Sequence, residues 1–152
     1  MERYTIGIIK PATLRRGDDK GIFELMSLKR FIFLCVLKKD ITSCSTTFDA
    51  FSTNMCPEKK EEYTQWYKGH SLLMVLTHLN YDPVEYWKEV VGSPILHEAS
   101  PLSIRGMYSA GAKLGKKANP FDDAVYASED MGRAEYDLRL LFPKHVVDWI
   151  DK

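Results

Sequence analysis

Two basic side chains of this chain stand where they could hold a phosphate group. Lys10 ends a strand-like segment of β-branched and aromatic residues, and the following Pro11 fixes a turn. Arg105 precedes Gly106 in a segment that glycines and prolines interrupt. An ammonium offers a point charge to a phosphate, and a guanidinium can form two parallel hydrogen bonds with its oxygens. Residue type alone leaves a solvated strand-end lysine and a solvated loop arginine as open alternatives.

The formal charges of the chain balance, because Lys plus Arg and Asp plus Glu each number 21. A balanced charge gives no electrostatic reason to expect a nucleic acid or a membrane surface as partner. A small basic cluster lies in a glycine-containing segment, at Lys113, Lys116 and Lys117. It could touch phosphate or nucleic acid, but a solvated loop explains it more simply. We therefore expect neither nucleic-acid binding nor membrane binding.

The cysteines predict a reduced, intracellular protein. Cys35, Cys44 and Cys56 are an odd number at irregular spacing, which suits neither a disulfide framework nor a metal site. Unpaired thiols are typical of a reducing compartment. The longest apolar stretch, 31–37, is too short to span a bilayer, and the N-terminus lacks an apolar signal segment. The sequence thus favours a cytoplasmic location.

Apolar periodicity and turn residues predict four strands with helices between them. The strands are expected at 4–9, 31–38, 72–76 and 123–127, and the helices at 21–30, 42–53, from 57, 82–91 and 129–141. Asp19 and Ser128 are the expected caps of the first and last of these helices. Glycines and prolines mark 93–117 as a long loop, and Pro143 begins a short tail.

This order of elements predicts an α+β fold. It suits a ferredoxin-like α/β sandwich, in which helices pack on one face of a four-stranded, mainly antiparallel sheet. No repeat, low-complexity tract or linker interrupts the sequence, so we expect a single domain over residues 1–152. The fold class by itself permits many functions.

Three segments, in order and at fitting spacing, carry a resemblance to a known family. Residues 8–12 (IIKPA), followed by Arg-Arg-Gly at 15–17, resemble the I-K-P-D and R-G signature of nucleoside diphosphate kinases. Residues 101–106 (PLSIRG) resemble the P-G-T-I-R-G segment of that family. Residues 125–129 (VYASE) resemble its H-(G/A)-S-(D/E) segment, except that a tyrosine replaces the histidine. The resemblance runs from residue 3 to about residue 142.

The resemblance implies a fold, a ligand and an assembly. Nucleoside diphosphate kinases have the ferredoxin-like fold and assemble into hexamers or tetramers. They move a γ-phosphate between nucleotides through a phosphohistidine. For this chain it implies a nucleoside di- or triphosphate as ligand, Mg²⁺ as the companion of bound nucleotide, and a homo-oligomer.

The resemblance also implies nucleotide-binding residues. Lys10 and Arg105 match phosphate-binding residues of the family, and Lys88 falls where the family keeps a phosphate-binding arginine. Lys88 retains the charge but loses the bidentate geometry, and a solvated helix-face lysine is an equal alternative. Asp123 replaces an asparagine that touches the sugar hydroxyl and phosphate, and a carboxylate there would repel a polyphosphate. Asn119 is the alternative if the loop is realigned.

Tyr126 occupies the position of the catalytic histidine. A phenol has a pKa of about 10 and stays protonated at neutral pH, whereas a neutral imidazole is a ready nucleophile. Nearby Lys10 and Arg105 could lower the pKa of Tyr126, although a phosphotyrosine would return its phosphate slowly. Tyr126 could instead be a buried strand tyrosine with a satisfied hydroxyl. Pro94 is a further departure, because it lacks the hydroxyl and N–H of the family's threonine.

Two further questions are which residue stacks on the base and whether another histidine replaces the catalytic one. Counting back from Gly69 places Glu58 where the family has a stacking phenylalanine, and Phe51 or Tyr63 could supply a ring instead. None of the histidines has the required strand-to-helix setting, and ordinary polar or capping roles are expected for all four: His70, His78, His97 and His145. Of the four, His97 is the least unsuitable for catalysis.

The sequence therefore supports three functional hypotheses. The first is a nucleoside diphosphate kinase-like, nucleotide-binding protein whose phosphotransfer is lost or strongly impaired. The second is an active kinase that transfers the γ-phosphate of ATP with an unusual nucleophile. The third is a non-enzymatic assembly or scaffold protein that retains only the fold.

Overall fold

A computed structural model describes residues 3–53, 60–95, 98–108 and 123–152 of the chain. Glu58, His97 and Asn119 lie outside these ranges, as do Cys56 and the lysine cluster at 113–117. Within the described ranges, no helix is long and apolar enough to cross a membrane.

The secondary-structure elements alternate along the chain, and each helix or strand is short. In chain order they are β1 Thr5–Ile9, α1 Pro11–Arg16, α2 Asp19–Leu28, β2 Ile32–Lys39, α3 Ser45–Ser52, α4 Lys60–Tyr67, β3 Ser71–Thr77, α5 Pro83–Val91, α6 Ile104–Tyr108, β4 Val125–Ala127, α7 Met131–Leu141 and α8 Lys144–Ile150.

The four strands form one sheet in the order β2-β3-β1-β4, and all three pairings are antiparallel. Ile8 in the central strand β1 lies between Leu73 of β3 and Tyr126 of β4. With helices packed on the sheet, this arrangement confirms the predicted ferredoxin-like sandwich. The short strand β4 forms one edge and carries Tyr126.

Both faces of the sheet are covered by helices, not the one face that the sequence predicts, because the neighbouring residues Ile8 and Ile9 of the central strand are both apolar. All residues of β1 are accordingly buried. Successive side chains of a strand point to opposite faces. Ile8 and Tyr126 pack on one face, in a cluster that includes Leu138 of α7. Ile9 and Val125 pack on the other face, in a second cluster. Neighbouring residues of β4 therefore belong to different halves of the core.

Gly7 lets the indole ring of Trp87 approach the sheet closely. A Cβ at Gly7 would lie 3.0 Å from both Met74 Cε and Trp87 Cζ2. Trp87 is fully buried, and its Nε1–H donates to the carbonyl of Tyr126 at 3.4 Å. Helix α5 is thereby fixed beneath the strand that carries Tyr126.

Three short helices lie where the sequence predicts a turn, a loop and a tail. Helix α1 follows Lys10 directly, with Pro11 at its first turn, and Gly17 ends it at φ 77°. Helix α6 lies inside the predicted loop 93–117, and α8 follows Pro143 where a tail is predicted. Pro11 lies in the first turn of α1, for which proline is pre-organised, and Pro143 immediately precedes α8 as its N-cap residue.

Helix α7 begins at Met131 rather than Glu129, and its cap is not the predicted one. The side chain of Asp130 accepts a hydrogen bond from the N–H of Arg133 at 2.8 Å. Ser128 bonds elsewhere, to Asp137. Helix α2, by contrast, begins earlier than predicted, at Asp19.

Candidate functional site

Lys10 is a buried cation at the junction of β1 and α1. It is 6% exposed, and its ammonium forms an ion pair with the carboxylate of Asp123. Its backbone N–H donates to the carbonyl of Ala124 at 3.1 Å. The ammonium also lies 5.0 Å from the ring centroid of Tyr67. A buried lysine that is paired in this way is not a solvated strand-end residue.

Arg105 reaches the same carboxylate from α6. One terminal nitrogen of its guanidinium donates to the carbonyl of Gly92 at 3.0 Å, and the other donates to the carbonyl of Val125 at 3.3 Å. The latter nitrogen lies 3.7 Å from Oδ2 of Asp123. The buried Nε of Arg105 has no hydrogen-bond partner in the described structure. The fold thus brings Lys10, Arg105 and Asp123 together.

A tight turn presents the Asp123 carboxylate. The N–H of Val125 donates to the carbonyl of Asp123 at 2.8 Å, and Ala124 between them has φ 69°. A three-residue turn with this positive φ is rare and strained. The carbonyl of Ala124 accepts hydrogen bonds from the backbone of Lys10 and, at 2.8 Å, from the hydroxyl of Thr13. The turn is therefore fastened to the beginning of α1.

A cavity of about 590 Å³ lies beside this cluster, between α5 and the end of β4. It brings together three predicted positions, Lys88, Pro94 and Arg105. Lys10, Asp123 and Tyr126 are not among its lining residues. Among the described residues, its charged lining comprises two cations and three carboxylates, which are Lys88, Arg105, Glu85, Glu89 and Glu129. The described part of the lining therefore has no excess of positive charge.

Lys88 is also paired. Its ammonium donates to Oε1 of Glu129 at 3.2 Å and to the carbonyl of Glu129 at 3.1 Å. The Glu129 side chain is 81% exposed, so solvent screens this pair strongly. This ion pair can be broken at little cost, whereas the buried pair of Lys10 and Asp123 cannot.

Tyr126 is 9% exposed, and its hydroxyl belongs to a buried network. The hydroxyl donates to Oδ2 of Asp137 at 2.6 Å, and the hydroxyl of Ser128 donates to the same oxygen at 2.9 Å. Nε of Arg133 donates to the Tyr126 hydroxyl at 3.1 Å and to Oδ1 of Asp137 at 2.8 Å. The alternative of a buried strand tyrosine with a satisfied hydroxyl is therefore correct.

This environment keeps the Tyr126 phenol protonated. Burial raises the pKa of Tyr126 well above its ordinary value, and the negative charge of Asp137 raises it further. The expectation that Lys10 and Arg105 lower this pKa is wrong, because burial and Asp137 raise it. Arg133 opposes the rise in pKa and does not cancel it. Burial likewise raises the pKa of the Asp137 carboxyl.

Arg133 has a role that sequence reasoning missed. Its terminal nitrogen donates to the carbonyl of Phe51 at 2.6 Å, and the guanidinium carbon lies 5.4 Å from the Phe51 ring centroid. Arg133 and Asp137 are four residues apart on α7, which is the spacing of a helical ion pair. That spacing is the signal that could have identified the pair.

The candidate base-stacking rings lie in the core. Phe51 is fully buried and Tyr63 is 7% exposed, so neither presents a face on which a base could stack. Both belong to the cluster that contains Tyr67 and Tyr126. Tyr63 and Tyr67 are therefore part of the hydrophobic core.

The described histidines show ordinary surroundings. His78 is 8% exposed; its Nε2 lies 2.7 Å from the carbonyl of Lys29, and its Nδ1 accepts from the N–H of Asn80. His70 and His145 are exposed, before β3 and in α8. Throughout the described ranges, no three His, Cys, Asp or Glu side chains are grouped so that they could hold a metal ion.

No protein-family model matches this chain, and no curated protein matches it. Solved structures do match over almost the whole chain. An Aquifex aeolicus nucleoside diphosphate kinase superposes with a TM-score of 0.78 at 17% identity, covering 94% of this chain and 96% of its own. The apo kinase from Encephalitozoon cuniculi gives a TM-score of 0.78 at 18% identity, covering 95% of this chain and 91% of its own.

A third similar structure is a halophilic nucleoside diphosphate kinase from Halobacterium salinarum in complex with CDP. It gives a TM-score of 0.77 at 17% identity and covers 95% of this chain and 90% of its own. At these identities the likeness concerns the fold. The chain has the nucleoside diphosphate kinase fold, as its motifs predict.

Proposed function

We propose that this protein binds a nucleoside di- or triphosphate in the manner of its fold but does not transfer phosphate. The observation that carries the proposal is the buried network around Tyr126, at the position where the fold's kinases carry their histidine. The hydroxyl donates a hydrogen bond to Asp137 and accepts one from Arg133. The oxygen is therefore protonated and already hydrogen-bonded, which makes it a poor nucleophile toward a phosphorus atom.

The chemistry of the phenol supports the loss of transfer. Because the pKa of Tyr126 is raised by burial, the oxygen is neutral over the whole physiological pH range. Lowering that pKa would require the oxygen to lose its bond to a carboxylate that itself carries negative charge. A working nucleophile needs the reverse, which is an adjacent base or cation.

Nucleotide binding is supported by the cations on this edge of the sheet. Lys10, Arg105 and Lys88 converge around β4, where phosphate oxygens could be bound. We place Asp123 or Asn119 beside the sugar and phosphate by analogy with the fold's kinases. The Halobacterium salinarum structure holds CDP, so a diphosphate is the natural ligand to test.

Magnesium would belong to the ligand rather than to the protein. The described side chains offer no group of three carboxylate, histidine or cysteine ligands, and Asp123 is occupied by two cations. The role of Mg²⁺ would be to neutralise the phosphates of the bound nucleotide.

A second candidate function is assembly or scaffolding without a ligand. The observation that favours it is that each of the three cations is already paired with a carboxylate. An anion must compete with those carboxylates, so the affinity for nucleotide is reduced. In this case the fold and its oligomer surface would be the retained function, and we expect a homo-oligomer, hexameric or tetrameric, under either candidate.

Calorimetric and thermal-shift titrations with ADP and ATP, each with and without Mg²⁺, separate the two candidates. A ligand that binds the folded state raises the melting temperature by mass action. We expect binding, weakened about tenfold or more by Lys88→Ala, which removes a charge-assisted hydrogen bond. Lys144→Ala is the matched control, because Lys144 is 92% exposed in α8. No thermal shift at saturating nucleotide would favour the scaffold.

A further inference from the structure

We infer that Asp123 is the resident anion of the Lys10–Arg105 pair, and that its carboxylate excludes phosphate groups from that pair. The contact is autoinhibitory: a phosphate-bearing ligand reaches these two cations only by displacing part of the protein. The inference rests on the proposed function in one respect, because it assumes that the ligand carries phosphate groups.

The first support is the way in which the carboxylate is held. Oδ1 of Asp123 is paired with the ammonium of Lys10, while Oδ2 faces the guanidinium of Arg105 at 3.7 Å. Two oxygens of one anionic group thus bridge two cations. A phosphate bound between the same cations would use its oxygens in the same way.

The second support is burial. The side chains of Lys10, Arg105 and Asp123 are only 7%, 12% and 17% exposed. Solvent therefore screens these charges weakly, and a second anion beside the carboxylate would meet strong like-charge repulsion. The exposed pair of Lys88 and Glu129 imposes no comparable barrier.

The third support is the rigidity of the turn. Asp123 is held at the start of a strained turn whose central carbonyl, that of Ala124, is fastened by the N–H of Lys10 and the hydroxyl of Thr13. The backbone of Asp123 cannot move away from Lys10 unless the bonds that fasten Ala124 to the beginning of α1 are strained or broken. The position of the Asp123 backbone is therefore fixed by the fold.

The chemistry of removal follows from these contacts. Asp123→Asn keeps the size of the side chain and removes its charge, so the net charge of the cluster doubles from one positive charge to two. Among the described residues, the buried Nε of Arg105 also has no hydrogen-bond partner. An inorganic anion with several charged oxygens should then occupy the place of the carboxylate.

The test measures the binding of inorganic pyrophosphate by calorimetry to the wild type, to Asp123→Asn and to Asp148→Asn. Asp148 is 61% exposed and pairs with Lys144 in α8, so Asp148→Asn is the charge-matched control. We expect Asp123→Asn to bind pyrophosphate about tenfold tighter or more than the wild type, because a like charge at close range is removed. The control should bind like the wild type.

Equal affinity of Asp123→Asn and the wild type would overturn the inference, as would an equal gain in the control. If Asp123→Asn is unfolded without ligand, its circular dichroism decides: recovery of the native spectrum on adding pyrophosphate supports the inference, and no recovery at saturation overturns it. The proposed function fails separately, when the wild type binds no ADP. Even in that case, a higher affinity of Asp123→Asn for pyrophosphate would still support the inference.

Discussion

The hydroxyl of Tyr126 donates a 2.6 Å hydrogen bond to the carboxylate of Asp137, which joins strand β4 to helix α7 inside the core. Ser128 and Arg133 complete the coordination of that carboxylate. A buried carboxylate beside position 126 is also the kind of group that orients an imidazole and fixes its tautomer. The pocket around Tyr126 therefore retains what a histidine there would need.

Tyr126→His is expected to regain partial phosphorylation from ATP. One ring nitrogen can donate to Asp137 while the other remains free as a nucleophile. Recovery should stay about 100-fold or more below an intact kinase of this fold, because Pro94 and Asp123 still deprive the phosphate of stabilising partners. The measurement is the acid-labile phosphate bound to protein after incubation with γ-labelled ATP.

Two controls accompany that variant. Tyr126→Phe should remain unlabelled, and adding Asp137→Asn to Tyr126→His should remove the label by withdrawing the orienting carboxylate. Activity equal to that of an intact kinase in the single variant would mean that the losses at Pro94 and Asp123 matter little.

Alkaline pH is expected to destabilise the protein through Tyr126. Because the pKa of Tyr126 is higher in the folded than in the unfolded chain, the unfolded tyrosine loses its proton first. Its contribution to stability is therefore complete below about pH 10 and declines as pH rises further. Urea unfolding between about pH 7 and about pH 11 should show this decline, and it should be smaller in Tyr126→Phe. The same slope in both proteins would contradict the assignment.

The sequence was most informative where the signals are local. Helix α5 matches its prediction, since Asp82 caps it, Pro83 begins it and Gly92 ends it, all within the helix itself. Helices α1 and α8 were missed because a proline that ends one element can begin the next. Local chemistry thus predicts elements well and the role of a single proline poorly.

The candidate site depended on contacts that are distant in sequence. Lys10 and Asp123 are 113 residues apart, so no local pattern indicates that one neutralises the other. The sequence predicts that Asp123 repels a phosphate ligand, but it does not show that Asp123 forms ion pairs with Lys10 and Arg105. The raised pKa of Tyr126 could not be predicted from the sequence either, because burial is its main cause.

Arg133→Lys is expected to lower the free energy of unfolding by about 1–3 kcal/mol, because a lysine cannot bond Tyr126, Asp137 and Phe51 at once and leaves a buried group unsatisfied. Arg139→Lys is the matched control on the same helix. Arg139 is 58% exposed, and its pair with Asp151 should be worth close to nothing. Equal losses in the two variants by urea denaturation would show that the network of Arg133 has no special weight.

The protein is expected to be an oligomer in solution. Strand β2 forms an edge of the sheet, and its apolar residues are only partly buried, with Val36 44% exposed. An apolar edge strand with unpaired backbone groups invites a partner strand. Multi-angle light scattering should give a mass above that of one chain, and Val36→Lys should weaken the assembly. Leu79→Lys, at another exposed apolar residue, is the control. A clean monomer would contradict this expectation.

The close approach of Trp87 to the sheet has an optical consequence. Among the three tryptophans, Trp87 is fully buried, whereas Trp149 is 55% exposed and Trp66 is partly covered. Its indole N–H bonds the backbone of residue 126 itself. Trp87 is thus a natural fluorophore placed directly under the candidate site. A shift in its blue-edge emission would report events at β4 without any attached dye.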